Sequence, residues 1–270
     1  MATPTAPLSS LIDRKVSALT NSLNKVNVEA KPASGFIDTE EALTEVLNSL
    51  EGLPTNPPSL YVDLEGANLS RHGTISIMQL LIHPPTRRTS STSTRDKIGL
   101  SLKDILESGT IPKVFFDVRR DSDTLFSHYG VRLSGIQDLQ LMELATRAFG
   151  RRYVTALAKC IEKDANLNYT EKKAFTQGKS RGKMLFDPQL GGSYEVFSQR
   201  PLSEEILKYC TNDVKFLPRL WSIYDRKLTV AWRERVRVAT NERVALSQGV
   251  MFNGQGQHMA LAPVGWNEMR

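Results

Sequence analysis

The sequence predicts an α/β fold, a sheet with helices packed on its faces. Stretches with strand character come first, strands then alternate with helical periodicity, and the last part of the chain is mostly helical. No internal repeat interrupts that order. With 40% hydrophobic and 24% charged residues over 270 positions, the balance is that of a globular chain holding one domain plus extensions.

Each element can be justified in turn. Thr39-Glu40-Glu41 leads into Leu43, Val46, Leu47 and Leu50, the spacing of an amphipathic helix with acids in its first turn. Gly52, Pro54, Pro57 and Pro58 break the chain before Leu60-Tyr61-Val62-Asp63-Leu64-Glu65, which reads as a strand ending at Gly66. A second strand, Thr74 to Ile82, is apolar nearly throughout and is expected to be central in its sheet. Residues 85–96, with Arg87-Arg88 and a run of hydroxyl side chains, read as a solvated insertion. A short strand at 97–100, a helix at 102–107 and a strand at Lys113 to Asp117 follow. The next helix passes through Asp121, Leu125 and Tyr129 and stops at Gly130. Residues 138–149 and 154–161 are helical in pattern, whereas regular spacing is lost between Lys163 and Arg200. Ser203-Glu204-Glu205, an N-cap followed by acids, opens a helix expected to run to about Leu228. The expected organisation is a flexible arm over 1–35, a domain over 36–228, and an Arg-rich extension over 229–270 whose end is expected to be disordered.

The formal net charge is +6, which favours acidic partners: nucleic acid, anionic membrane or acidic protein. Cys160 and Cys210 form no CxxC pattern, so buried free thiols are expected rather than a disulfide or zinc site. No apolar run has the length of a membrane span, and the first thirty residues lack the apolar core of a secretory signal. Nuclear or cytoplasmic residence, with no membrane partner, is the expectation.

Chemistry is carried by acids at three distant places. Asp63 and Glu65 lie two apart on a strand and project from one face. Side by side they repel, and a shared divalent cation relieves that repulsion. Taken alone, the pair reads first as two solvated acids ending an edge strand. Asp121 follows a strand, at the junction where α/β sheets bind ligands, with Asp117 and Asp123 as rival acids; each also suits a helix start. Tyr209 and Asp213 are four apart on a helix and share one face, an arrangement that is unspecific by itself.

Taken together, and in this order, Asp63-Leu64-Glu65, Asp121 and Tyr209…Asp213 resemble the three motifs of the DEDDy branch of 3′–5′ exonucleases, the family of RNase D. The resemblance spans roughly 36–228. Val62-Asp63-Leu64-Glu65-Gly66, Arg119-Arg120-Asp121-Ser122-Asp123, Gly191-Gly192-Ser193-Tyr194-Glu195-Val196-Phe197 and Arg200-Pro201-Leu202 look like the Egalitarian-like subgroup, including its fungal members. One departure is Phe116, where relatives often carry histidine.

The resemblance implies an RNase H-like fold, a mixed twisted sheet flanked by helices. It also implies two divalent cations, Mg²⁺ or Mn²⁺, held by Asp63, Glu65, Asp121 and Asp213, with Tyr209 orienting the attacking water. Oxygen ligands without Cys or His suit such hard cations. The implied reaction releases nucleoside 5′-monophosphates from a nucleic-acid 3′ end, with RNA expected over DNA. Substrate grip is expected from the basic stretch 151–183, notably Arg152, Lys172, Lys173 and Lys183, which otherwise forms a solvated basic surface. Arg200 either touches substrate or braces the loop before the last helix. Two rival readings remain: a nucleic-acid-binding scaffold that kept the fold without activity, and a haloacid dehalogenase-type phosphatase. The second wants Asp-x-Asp and leaves Tyr209 and Asp213 unexplained.

Overall fold

Residues 60–65 form a strand with no free edge. In the computed structural model, which describes residues 35–84, 100–148 and 150–268, β1 (Leu60–Glu65) lies between two partners. On one side it pairs antiparallel with β2 (Ile77–Ile82), placing Asp63 opposite Gln79. On the other it pairs parallel with β3 (Lys113–Phe115), and β3 pairs parallel with β4 (Ile136–Asp138). The sheet is therefore mixed, in the order β2-β1-β3-β4. Strand β2, expected to be central, lies at the edge among the described residues, and most of its side chains are only half-buried.

Alternation along β1 sends its side chains to two apolar cores. Tyr61 joins Val114 and a cluster from α4 (Leu139–Ala145), α5 (Leu157–Asp164) and α8 (Leu217–Lys227). Val62 and Leu64 join Phe115 and a cluster from α2 (Leu102–Glu107), α3 (Arg119–Tyr129) and α9 (Val230–Gln248). Helices thus cover both faces, and the face that carries Tyr61 also carries Asp63 and Glu65. Helix α1 (Glu40–Ser49) has no fully buried residue. The chain divides into a unit through Thr39 and a second from Glu40, and in the first residues 35–38 have no regular structure. Most of the expected N-terminal arm and the whole insertion at 85–96 lie outside the described residues.

Three helical stretches also differ from expectation. The stretch between Lys163 and Arg200 contains α6 (Tyr169–Phe186), an 18-residue helix. It opens on a capping box: the Asn168 side chain accepts from Glu171 N at 2.9 Å, and Glu171 Oε2 accepts from Asn168 N at 3.0 Å. The helix expected to run unbroken from Ser203 is two, α7 (Glu204–Lys215) and α8, because Pro218 fits only the first turn of a new helix. The helix expected from 138 begins one residue later. Asp138 itself ends β4 and caps α4, accepting from Gln140 N at 3.0 Å.

Beyond the expected domain, α9 packs on α3 and β4. Residues 249–268 then return over α3: Arg119 Nη2 donates to Met259 O at 2.7 Å, and Arg120 Nε donates to Gly254 O at 3.0 Å. Among the described residues no helix is long and apolar enough to cross a membrane.

Candidate active site

Acids from two of the three places meet. Ligand oxygens of Asp63, Glu65 and Asp213 lie within 4.8 Å of one another, brought together because α7 packs across β1 and β2. Asp121, in the first turn of α3, lies outside that group but near enough to act on it: its charge is felt by Glu65, and its own carboxyl is raised by Asp63. Asp213 and Asp121 are buried, while Asp63 and Glu65 are half-exposed.

Desolvation and mutual repulsion push these carboxyls upward. Burial, then the neighbouring Asp213, raises Asp63 to about 7. Burial followed by Asp63 and Asp213 holds Glu65 well above the carboxylate range, and burial followed by Asp63 and Asp117 does the same for Asp121. Asp213 is raised by burial, less so because Lys179 opposes it.

The rival acids are accounted for elsewhere. Asp123 is bound by Arg71, whose Nε donates to Oδ1 at 2.7 Å and whose backbone N donates to Oδ2 at 3.0 Å. Asp117 takes Arg119 in a two-bond fork at 2.6 Å each and has Arg243 3.6 Å away. Asp121 has no such cation, and its buried Oδ1 has no hydrogen-bond partner among the described residues. A buried carboxylate oxygen in that condition, beside three more carboxylates, fits a hard divalent cation.

Tyr209 and Asp213 sit one turn apart on α7, and the Tyr209 side chain helps hold the Asp213 carboxyl down. Burial and the surrounding acids hold the phenol far above its ordinary range, so it stays protonated. Its ring packs edge-on to Phe186 at 5.0 Å and near Phe197 at 6.4 Å. It also lies flush against Gly182 of α6, where any Cβ would collide with the ring.

Lys179 is a site residue that sequence reasoning missed. It forms an ion pair with Asp213, and its Nζ lies 4.2 Å from the centre of the Tyr209 ring. Its position four residues N-terminal to Lys183 and between Gly178 and Gly182 carried no signal until α6 was in place. Arg71 and Arg120 were missed as well. With Glu65 and Tyr209 they line a cleft of about 700 Å³.

The residues expected to grip substrate lie outside that lining. Arg152 is exposed, its guanidinium 5.2 Å from the centre of the Tyr153 ring. Lys172, Lys173 and Lys183 are exposed on α6, Lys183 pairing with Asp187 at 3.4 Å. Arg200 donates to Phe197 O, Gln199 O and Ser76 O at 2.8–2.9 Å, which ties the loop before α7 to the start of β2. Phe116, where relatives often carry histidine, packs half-buried against the first core.

Fold and site define an α/β domain of the 3′–5′ exonuclease kind, a mixed sheet flanked by helices with acids gathered above it. The chain belongs to the 3′–5′ exonuclease family, whose model matches residues 35–229. It is similar to RNase D of Trypanosoma brucei, solved in complex with RNA U12, at 22% identity and a TM-score of 0.64, covering 86% of this chain and 77% of that one. It is also similar to RNase D of Escherichia coli, an exoribonuclease involved in structured RNA processing, at 16% identity and a TM-score of 0.53, covering 80% of this chain and 50% of that one. At these identities the likeness speaks for the fold. No curated protein sequence matches the chain.

Proposed function

We propose that this protein is a DEDDy-type exonuclease that shortens single-stranded RNA from the 3′ end and releases nucleoside 5′-monophosphates. The observation that carries the reading is the convergence of Asp63, Glu65 and Asp213, remote in sequence, around one lysine, with the charge of Asp121 acting on them. Asp63, Glu65, Asp121 and Asp213 would hold two divalent cations, Mg²⁺ or Mn²⁺. Bound there, such a pair supplies positive charge to the attacking and leaving oxygens and acidifies a water.

The chain's own groups then have separate tasks. Tyr209, protonated and fixed between Asp213 and the ring of Phe186, is suited to orient a water rather than to take its proton. Lys179, on the edge of the cluster, can meet a phosphate oxygen once Asp213 is otherwise engaged. Arg152, Lys172, Lys173, Lys183 and Arg200 are the proposed outer contacts to the nucleic-acid backbone, with Arg71 and Arg120 at the cleft itself.

The test is degradation of 5′-labelled RNA and DNA oligonucleotides in Mg²⁺ or Mn²⁺ by wild type and Asp63→Ala. Stepwise shortening from the 3′ end is expected, lowered roughly a thousandfold or more in the variant, since metal-borne charge stabilisation contributes several kcal/mol. Equal binding by both proteins with shortening by neither would replace this reading with the binding scaffold.

A further inference from the structure

The cleft has two unlike walls. One is the family's own: Glu65, Tyr209, Phe186, Tyr194 and Phe197. The other is Phe252-Asn253-Gly254-Gln255, which lies beyond the residues matched by the family model. That second wall is built rather than draped. Arg71, anchored on Asp123, donates to Ser247 O, Gly249 O and Val250 O at 2.8–3.0 Å. Gln255 Nε2 donates to Asn68 Oδ1 at 3.3 Å, and Arg120 holds Gly254.

The rings of the two walls are also in different condition. Phe186 stacks on Tyr194 at 5.9 Å and packs against Phe197 at 5.3 Å and Tyr209, so those rings occupy one another. Phe252 makes no ring–ring contact among the described residues. Its one aromatic-face neighbour is the Arg71 guanidinium, 5.9 Å from the ring centre. Around it stand three primary amides, on Asn68, Asn253 and Gln255. A half-buried aromatic face in a cleft whose lining also holds three amides and Glu65 suits a flat heterocycle with donors and acceptors on its edge.

We propose that Phe252-Asn253-Gly254-Gln255 binds the base of the 3′-terminal nucleotide, with the Phe252 ring stacked on it and the amides meeting its edge. The substrate class is thus a nucleic-acid end whose last base is unpaired, and the C-terminal extension is part of the substrate site. This rests on the exonuclease reading above.

The experiment uses the full chain. Binding of a 5′-fluorescein single-stranded 12-mer is measured by anisotropy, and shortening in Mn²⁺ gives KM and kcat. One oligonucleotide ends in a normal nucleotide and the other in a 3′-terminal nucleoside lacking its base. Phe252→Leu keeps apolar volume without an aromatic face, and Phe252→Trp keeps the face. Loss of the ring is expected to weaken binding of the normal end about tenfold and to raise KM similarly with kcat little changed, as base stacking on aromatics implies. Phe252→Trp should restore both. The base-less end should bind wild type about as weakly as Phe252→Leu binds the normal end, with no further loss when the two are combined. Wild-type affinity in Phe252→Leu, or an equal loss on both oligonucleotides, overturns the base site. Shortening by wild type alongside either result leaves the exonuclease reading intact. Base-dependent binding without shortening removes that reading and keeps the site.

Discussion

Two groups of buried acids lie side by side in this molecule, and they are solved differently. Asp117 and Asp138 form one. Asp138, fully buried, accepts from the backbone N of Asp117 and of Gln140 at 3.0 Å and from Arg243 Nη1 at 2.7 Å. Burial pushes Asp117 up, yet Arg119 and Arg243 outweigh it and bring it below the usual carboxylate range. This group also fixes Asp117 at φ 61°, a left-handed conformation that costs a non-glycine residue about 1–2 kcal/mol. The other group is Asp63, Glu65, Asp121 and Asp213, where Lys179 acts on three of the acids and all four are displaced upward. An acid cluster complete with its own arginines holds the chain together. One short of cations is prepared to receive them.

Arg243→Met should give the largest effect, because it strips Asp138 of its cation while sparing the four-acid group. A loss of about 3–5 kcal/mol of unfolding free energy is expected in urea titrations, as for other broken buried pairs. A variant as stable as wild type would mean that backbone donors alone satisfy Asp138.

Adding Mg²⁺ or Mn²⁺ sharpens the contrast from the other side. At a hundredfold excess over Kd the wild type should gain about 2.7 kcal/mol, read as a rise in Tm, and Asp63→Asn should gain much less. Equal gains in both proteins would locate cation binding away from these acids.

A further difference lies in pH dependence without divalent ions. A folded-state carboxyl at about 7, against 3.8 for the free group, means that the native state binds more protons than the unfolded one in between. Stability contributed by Asp63 is therefore greatest near pH 4 and falls as pH rises toward 7, the reverse of an ion-paired aspartate. Subtracting the Asp63→Asn profile from that of wild type should isolate this slope, and saturating Mg²⁺ should flatten it. A difference curve that rises with pH would place a cation beside Asp63 already.

Much of this was legible in the residues. Period-two alternation put Asp63 and Glu65 on one face, and four-residue spacing put Tyr209 above Asp213; both rest on backbone geometry alone. The choice among Asp117, Asp121 and Asp123 was not legible from spacing, because it depends on where Arg71, Arg119 and Arg243 end up, and Arg71 and Arg243 arrive from remote parts of the chain. Helix α6 escaped for a different reason. It buries only Phe175 and Gly182, and glycines at 178 and 182 each weaken an isolated helix by about 1 kcal/mol. Its readable signal was Asn168…Glu171 at its start. The fold of the extension escaped too, since Gly, Asn and Gln around one Phe read as a loose tail until Arg71 fixes Ser247, Gly249 and Val250 and Arg120 fixes Gly254.

The bare Cα at position 182 has a consequence for how such a site can drift. The place of the Tyr209 ring is set by a hydrogen atom on a neighbouring helix, so even an alanine there would tilt the phenol away from Asp213. Every acid would be left in place. A chain could thus lose the water-orienting group proposed for it while its signature motifs stayed intact, and inspection of the acids alone would miss the change.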